Sequence, residues 1–461
     1  MEMRFTHSAR RAAGVSAAAL GLLVMGACDN PQDTLLEQQQ PQVILPADVQ
    51  NPTGAVGLYT GALGRLRSEL NGGTGNQEAL WGLMALMTDE FKSGDTFSQR
   101  NDADQRITQS NDQVMAPTYH GVQQARGRAR DAIAALKAFA PTETAKIGEM
   151  YMAMGFFEVT LGQNFCNGIP LGETVGGVAQ YTDPLTNAQV FTTAIARFDS
   201  ALAVLTGTDA ATVHVRNATL IAKGRAQVNL NQIAAAATTV AGVATTYQYL
   251  LTYSSNTQSN EWWQMGTSSR RYTVSDSFDV VGVTKNAIPF ASLNDPRVKT
   301  ARSTTLPRAF DNITPFIEFT NYAREDALPL LSGIDARLIE AEAKLRANDI
   351  PGMMLIINNL RTTQQKIGNY SPATQAALPD PASQTAATDL FFREKALWQF
   401  GRGERISDLR RLVRQYSRTQ DNVFPSGPFH KNGSYGTNTS FPVPDSEKAN
   451  TKFTGCIDRN A

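Results

Sequence analysis

Histidine and cysteine are scarce in this 461-residue chain, with four and three respectively, and one histidine falls in the amino-terminal leader at His7. His120, His214 and His430 show no ligand-like spacing to each other or to a cysteine, so no metal site is expected. No Gly-x-Ser-x-Gly elbow and no His-Glu-x-x-His pattern occurs. The glycines at 72, 73 and 75 do not make a phosphate loop, because no strand precedes them and no Gly-Lys-Ser/Thr follows. Net charge is absent too: forty-two basic residues balance forty-two acidic ones, and charged residues are 18% of the chain against roughly 25% in ordinary domains. That leaves no basic footprint for nucleic acid. Beyond the first thirty or so residues nothing approaches the ~20 consecutive apolar residues of a membrane span. These absences argue against an enzyme and against any cofactor. Paired acids such as Asp89 and Glu90 could in principle hydrolyse a glycoside, but adjacency says nothing of the separation across a sugar that hydrolysis needs.

The amino terminus carries more information. Arg4, Arg10 and Arg11 precede an apolar run over residues 12–25, and Gly26 and Ala27 lead into Cys28. This pattern predicts a secretory signal over residues 1–27 with lipoprotein-type cleavage, leaving Cys28 lipidated; the alternative is an ordinary signal with an incidental cysteine. The chain would then be anchored to a membrane and not span it. Residues 28–46, rich in Gln, Pro and Asp, read as a tether. With Cys28 lipidated, Cys166 and Cys456 are the one remaining pair in an oxidising compartment and are expected to form a disulfide, two isolated thiols being the alternative.

Helical periodicity governs most of the body. Residues 52–70 form a helix with Val56, Tyr59, Leu63 and Leu66 on one face, and 79–88 form a second before a long polar loop that begins at Asp89. A hairpin pairs 119–139 with 142–161 across Pro141, and a further set covers 187–205, 213–230 and 232–243. Over 333–361 the periodicity is clearest. Ile334, Leu338, Ala341 and Leu345 share a face, Asp349 caps the next helix with Pro351 in its first turn, and Met353, Ile356, Ile357 and Leu360 form the opposing face. So short a connection makes the two helices antiparallel, a hairpin of tetratricopeptide type. Glu340 with Lys344 and Glu342 with Arg346 are expected to pair on the solvent side. Equivalent helices recur irregularly, so the units are tetratricopeptide-like and not a consensus array.

The stretch Arg393-Glu-Lys-Ala-Leu-Trp-Gln-Phe-Gly-Arg-Gly-Glu-Arg-Ile-Ser-Asp-Leu-Arg-Arg411 resembles the carboxyl-terminal motif of the SusD/RagB family of outer-membrane nutrient-capture lipoproteins. Glu394, Leu397, Gly403, Arg405, Asp408, Leu409 and Arg411 fit it, while Trp398 and Arg402 stand where the family commonly has glutamate. Read as residues alone, it is a helix end broken by Gly401 and Gly403, with Asp408 near Arg405 and Arg411 forming a local ion cluster that fixes a turn. Four further stretches resemble the family in the same order: Asn164 to Leu171, the helix opening at Asn217, Asn294-Asp-Pro-Arg297 with Arg297 pairing locally, and Phe441-Pro-Val-Pro-Asp445. The resemblance covers residues 41–450 and implies a mainly all-α fold, tetratricopeptide-like hairpins forming an α-α superhelix with a loop-rich lobe. It divides the mature chain into a helical region over 47–246, a ligand-binding insertion over 247–330 and a carboxyl-terminal region over 331–461.

Within 247–330 the helical period is lost and Thr, Ser, Tyr, Trp, Pro and Asn increase. Loop-rich insertions of this length are usually functional. Trp262, Trp263 and Tyr272 in the insertion, and Trp81 and Phe97 around the early loop, are the ligand-stacking candidates, because flat aromatic faces beside amides and hydroxyls suit sugar rings or peptide side chains. What the resemblance implies is capture of an oligosaccharide or peptide at the outer membrane and delivery to a SusC-like TonB-dependent transporter, without covalent chemistry. The rival reading is a tetratricopeptide-type assembly or scaffold lipoprotein with no nutrient ligand.

Overall fold

Proline and an asparagine cap open the body of the computed structural model, which describes residues 50–73, 78–175, 178–279 and 282–461. The expected signal, the lipidation at Cys28 and the tether over 28–46 lie outside the described residues. Residues Asn51–Ala461 form one compact unit. Helix α1 (Pro52–Asn71) has Pro52 in its first turn, where the missing N–H costs nothing, and the Asn51 side chain accepts from the Gly54 amide at 2.8 Å. Its fully buried face is Ala55, Ala62, Leu66 and Leu70, while Val56, Tyr59 and Leu63 are only half-buried. The expected face is therefore rotated: small alanines, which permit close approach, turn toward the neighbouring helix.

The body is mainly helical, with strands of two to five residues. After α2 (Leu80–Leu86) and α3 (Ser98–Asp104), α4 (Met115–Phe139) and α5 (Thr144–Asn164) form the first long hairpin across Pro141. Almost every residue of α5 from Ile147 onward is buried, as expected for a helix with Met, Phe, Val and Leu around its whole circumference. It is packed on one side by α6 (Asn187–Val204), which is opened by a Thr186–Gln189 capping box. Gly148, Gly155 and Gly162 recur every seven residues along α5. A β-carbon on each would lie 2.5 Å from Leu205, 2.7 Å from Phe198 and 2.8 Å from Phe191 respectively. Those three partners also recur at seven, in reverse order, so the pair is antiparallel with large side chains set into glycine notches.

Helices α7 (Ala210–Asn229), capped by Asp209, and α8 (Ile233–Val240) continue the stack to α9 (Gly333–Arg346) and α10 (Ile350–Thr362). The α9/α10 hairpin has the expected apolar faces and the expected Asp349 cap, which accepts from the Gly352 amide at 2.9 Å. Its surface pairing differs from expectation. Glu340 pairs with Arg337 and Lys344 with Asp349, while Glu342 is buried and bound by Arg411 and by the Tyr416 hydroxyl. The reason is tertiary: α11 (Gln384–Trp398) and α12 (Arg405–Tyr416) bring a cation over the face of α9 that an isolated hairpin would leave to water.

The motif around Gly401 and Gly403 does structural work, with a wider set of partners than a local cluster. Arg405 makes a two-pronged pair with Asp89 at 2.7 and 2.9 Å, while Asp408 keeps the expected local pair with Arg411 and takes Lys395 in place of Arg405. Arg402 clamps Asp335 at 2.9 and 2.6 Å. Burial pushes the Asp335 carboxyl upward, but Arg402 and Arg225 outweigh it and hold the group at about 2. Arg297 pairs locally with Asp295, as expected, and also reaches Glu394 across the fold. Arg410 donates to the carbonyls of Gly162, Gln163 and Phe165, satisfying the open end of α5.

Segment 247–330 is pinned at its base, where Gln248–Leu251 pairs antiparallel with Leu328–Ser332. Between these strands runs a π-helical stretch, Trp262–Ser268. The region after Asp89 is more ordered than the expected polar loop, since Phe91–Ser93 forms a strand against Tyr272–Val274 before α3 begins.

Candidate functional site

That strand pair brings two distant stretches together and opens a cleft of about 620 Å³ beside α3. The polypeptide turns out of the strand at Asp95, whose carboxylate accepts from the Phe97 amide at 3.2 Å and so directs the chain into α3. Phe97 is thereby left 43% exposed at the lip of the cleft. One turn into α3, Arg100 binds both Asp95 and Glu78. Arg271, just ahead of the opposite strand, donates from a single guanidinium nitrogen, Nη1, to both carboxylate oxygens of Asp95 at 2.6 and 2.7 Å.

The second aromatic wall is Phe310, which is 41% exposed. It sits on a tight turn in which Asp311 accepts from the amides of Ile313 and Thr314, and Asn312 takes a left-handed φ of 60°. The turn is fastened by Phe310 N–H donating to the Arg270 carbonyl and Asp311 N–H donating to the Gly94 carbonyl, each at 2.9 Å. Gly94 is required at this approach, because a β-carbon there would lie 2.2 Å from that of Ala309. Lys431 ties Asp311 from outside at 2.8 Å. The Arg271 guanidinium lies 3.9 Å from the Phe310 ring centre, and that of Arg100 lies 5.6 Å from the Phe97 ring centre.

Electrostatically the floor is a chain of satisfied ions. Burial works against the charge on Asp95, but Arg271 and Arg100 hold its carboxyl below the ordinary value. Burial likewise opposes the Arg100 charge, and Glu78, Tyr272 and Asp95 outweigh it and hold its pKa up. The Tyr272 hydroxyl donates to Glu78, and burial first, then the Glu78 charge, keeps that phenol protonated. The same tight turn gives its other side, through Ile313 and Pro315, to a smaller cleft of about 270 Å³ that includes Phe278 and Arg302.

Of the five aromatic candidates, Phe97 reaches the cleft. Trp262 is 2% exposed; its ring stacks on Phe91 with centroids 4.6 Å apart, and its indole N–H donates to the Gly401 carbonyl at 3.0 Å. Trp81 is equally buried, lying against Gly403. Both are core side chains, and the Trp262 ring face is taken by Phe91. Trp263 is half-buried beneath Arg324, 5.2 Å away, and does not line the cleft. Tyr272 is 1% exposed and supports the polar floor from behind. Asp95, Arg100, Arg271 and Phe310 were missed by residue-type reasoning, although Asp311-Asn312 between Pro307 and Pro315 is a turn signal that marks Phe310 as a loop-tip aromatic. Cys166 and Cys456 are joined in a disulfide with Cα atoms 5.9 Å apart. Among the described residues, no cluster of His, Cys, Asp and Glu could hold a metal ion, and no helix is long and apolar enough to cross a membrane.

No family model and no curated protein matches the sequence. Solved structures do match the fold. A laminarin-binding SusD-like protein superposes with a TM-score of 0.63 at 13% identity, covering 88% of this chain and 99% of its own. A SusD superfamily protein from Bacteroides fragilis gives 0.62 at 13% identity with the same coverage. A SusD-like carbohydrate binding protein from Bacteroides vulgatus gives 0.61 at 13% identity, covering 88% of this chain and 97% of its own.

Proposed function

We propose that this chain, which has the SusD-like fold, is a lipid-anchored, surface-exposed outer-membrane protein. It binds an oligomeric nutrient without altering it and passes the nutrient to a SusC-like TonB-dependent transporter. The observation that carries the binding half is the cleft: two exposed phenylalanines on separate loops above a polar floor, in a volume of about 620 Å³ that suits a few sugar or peptide units. Structural relatives that bind carbohydrate, one of them laminarin, favour a glycan over a peptide. The transporter half rests on the opposite kind of surface. Leu355 of α10 stands 73% exposed beside a groove of about 430 Å³ bordered by Arg337 and Glu340, an arrangement that suits a protein partner. The scaffold reading shares that groove but gives the cleft no use.

Two measurements test this. Calorimetry against glycan and peptide mixtures should find a ligand whose affinity falls about tenfold in Phe97→Ala or Phe310→Ala, the loss typical of a truncated aromatic anchor. Unchanged affinity in both variants would remove the cleft from the site. Co-purification after mild detergent extraction should yield a large β-barrel partner, whereas assembly factors alone would favour the scaffold.

A further inference from the structure

The cleft's charged and uncharged groups are in different states. Each charged side chain that lines it already has a partner of opposite charge: Glu69 is bound by Arg65, Glu78 by Arg100, and Asp95 by both Arg100 and Arg271. The Asp95 side chain is fully enclosed, so an anion that drew Arg271 away would leave a buried carboxylate facing it. By count the lining holds three carboxylates against two guanidiniums, which adds a repulsive field for a negative ligand. By contrast, the Thr96 hydroxyl and the Gln113 side-chain amide, both exposed on the lining, make no hydrogen bond among the described residues. The groups free to meet a ligand are therefore neutral donors and acceptors. The two rings are each backed by a guanidinium on one side, Phe310 by Arg271 and Phe97 by Arg100.

We infer that the cleft selects an uncharged glycan and discriminates against uronate-containing and sulfated ones. Sugar hydroxyls bind Thr96 and Gln113 and share the outer lone pairs of the ion chain without breaking it, while pyranose faces rest on Phe97 and Phe310. The inference deepens the proposed function and rests on its reading that the cleft takes a glycan. Specificity here comes from the cost imposed on the wrong ligand, since an anionic glycan gains no unpaired cation.

The test is calorimetry of the full chain, of Phe310→Ala and of Phe97→Ala against four probes: a β-glucan oligosaccharide, a mannan oligosaccharide, oligogalacturonate and a sulfated galactan oligosaccharide. A folded thermal transition is checked for each variant, whose altered side chain is exposed. The expected result is binding of a neutral probe that Phe310→Ala weakens and that low and high salt change less than about twofold, because no counterion is released. Both anionic probes should bind on the order of tenfold more weakly or not at all. An anionic probe bound as tightly as the neutral ones, in a Phe310-dependent way, overturns the charge selection and leaves the glycan reading standing. Binding left unchanged by both Phe310→Ala and Phe97→Ala, or no binding of either class, overturns both.

Discussion

Replacing one glycine of α5 by alanine should destabilise this protein, although the same change in a helix ordinarily stabilises it. The general gain from Gly→Ala in a helix interior is about 1 kcal/mol, from lost freedom in the unfolded chain. At Gly155 the new methyl would meet the Phe198 ring at 2.7 and 3.0 Å and the Ala194 carbonyl at 3.1 Å. The ring is buried in the core and the carbonyl belongs to a helix backbone, so neither yields by a simple rotation. Overpacking of this kind costs about 1–3 kcal/mol, and subtracting the propensity gain leaves a net loss of up to roughly 2 kcal/mol for Gly155→Ala. Gly127 of α4 is the internal control, because a β-carbon there has nothing within 4 Å. Gly127→Ala should stabilise by up to about 1 kcal/mol. Urea unfolding followed by circular dichroism compares the two, the midpoints moving in opposite directions at constant slope. If both midpoints rise together, the glycine notches do not set the α5/α6 spacing and the packing argument fails.

Other outcomes follow from single groups. Burial pushes the Glu90 and Glu261 carboxyls up to about 8, so the folded chain keeps protons that the unfolded chain, near 4.5, releases; stability should fall as pH rises from about 4.5 to about 8 and level off above. Melting temperatures across that range should show the slope, and Glu90→Gln should flatten it; an identical slope in the variant would count against Glu90 as its source. At the acid end, Asp335 should lose its contribution only as pH falls from about 3.8 toward about 2, read by the same melts. Mass spectrometry of alkylated, non-reduced protein should find Cys166 and Cys456 unlabelled, and in the entropic model reduction should cost about 5 kcal/mol; two labelled thiols would end the idea. Cys28→Ala should empty the membrane fraction of the protein, and retention at wild-type levels would argue against the anchor.

What could be read in advance divides by range of interaction. The α9/α10 hairpin was legible because its apolar faces, cap and proline all lie within thirty residues. The phase of α1 was not, because Ala55 and Ala62 count as weak hydrophobes in a sequence yet become the closest-packed positions once a second helix lies against them. Glu342 reads as a surface residue until α12 supplies Arg411. Trp262 and Trp81 reveal the same difficulty at the candidate site. In a loop-rich sequence they look available, but the strand pairing of Phe91–Ser93 with Tyr272–Val274 builds a small core around the Gly401 turn and encloses them. Phe97 was legible from its loop context, and Phe310 could have been from the turn that follows it. Asp95, Arg100 and Arg271 belong to a network that exists only after folding, and no local pattern announces it.

The walls of the cleft come from α1, from the loop before α3, from the start of α4 and from two separate parts of segment 247–330. Pieces so far apart in the chain meet only when the whole body has assembled, so the unfolded state holds no assembled site. Any ligand of the cleft is consequently a probe of global folding: at a hundred times its dissociation constant it should add about 2.7 kcal/mol to the unfolding free energy, whatever its chemistry. A melting-temperature screen against compound libraries can therefore search for the natural ligand with no transporter, membrane or assay of uptake.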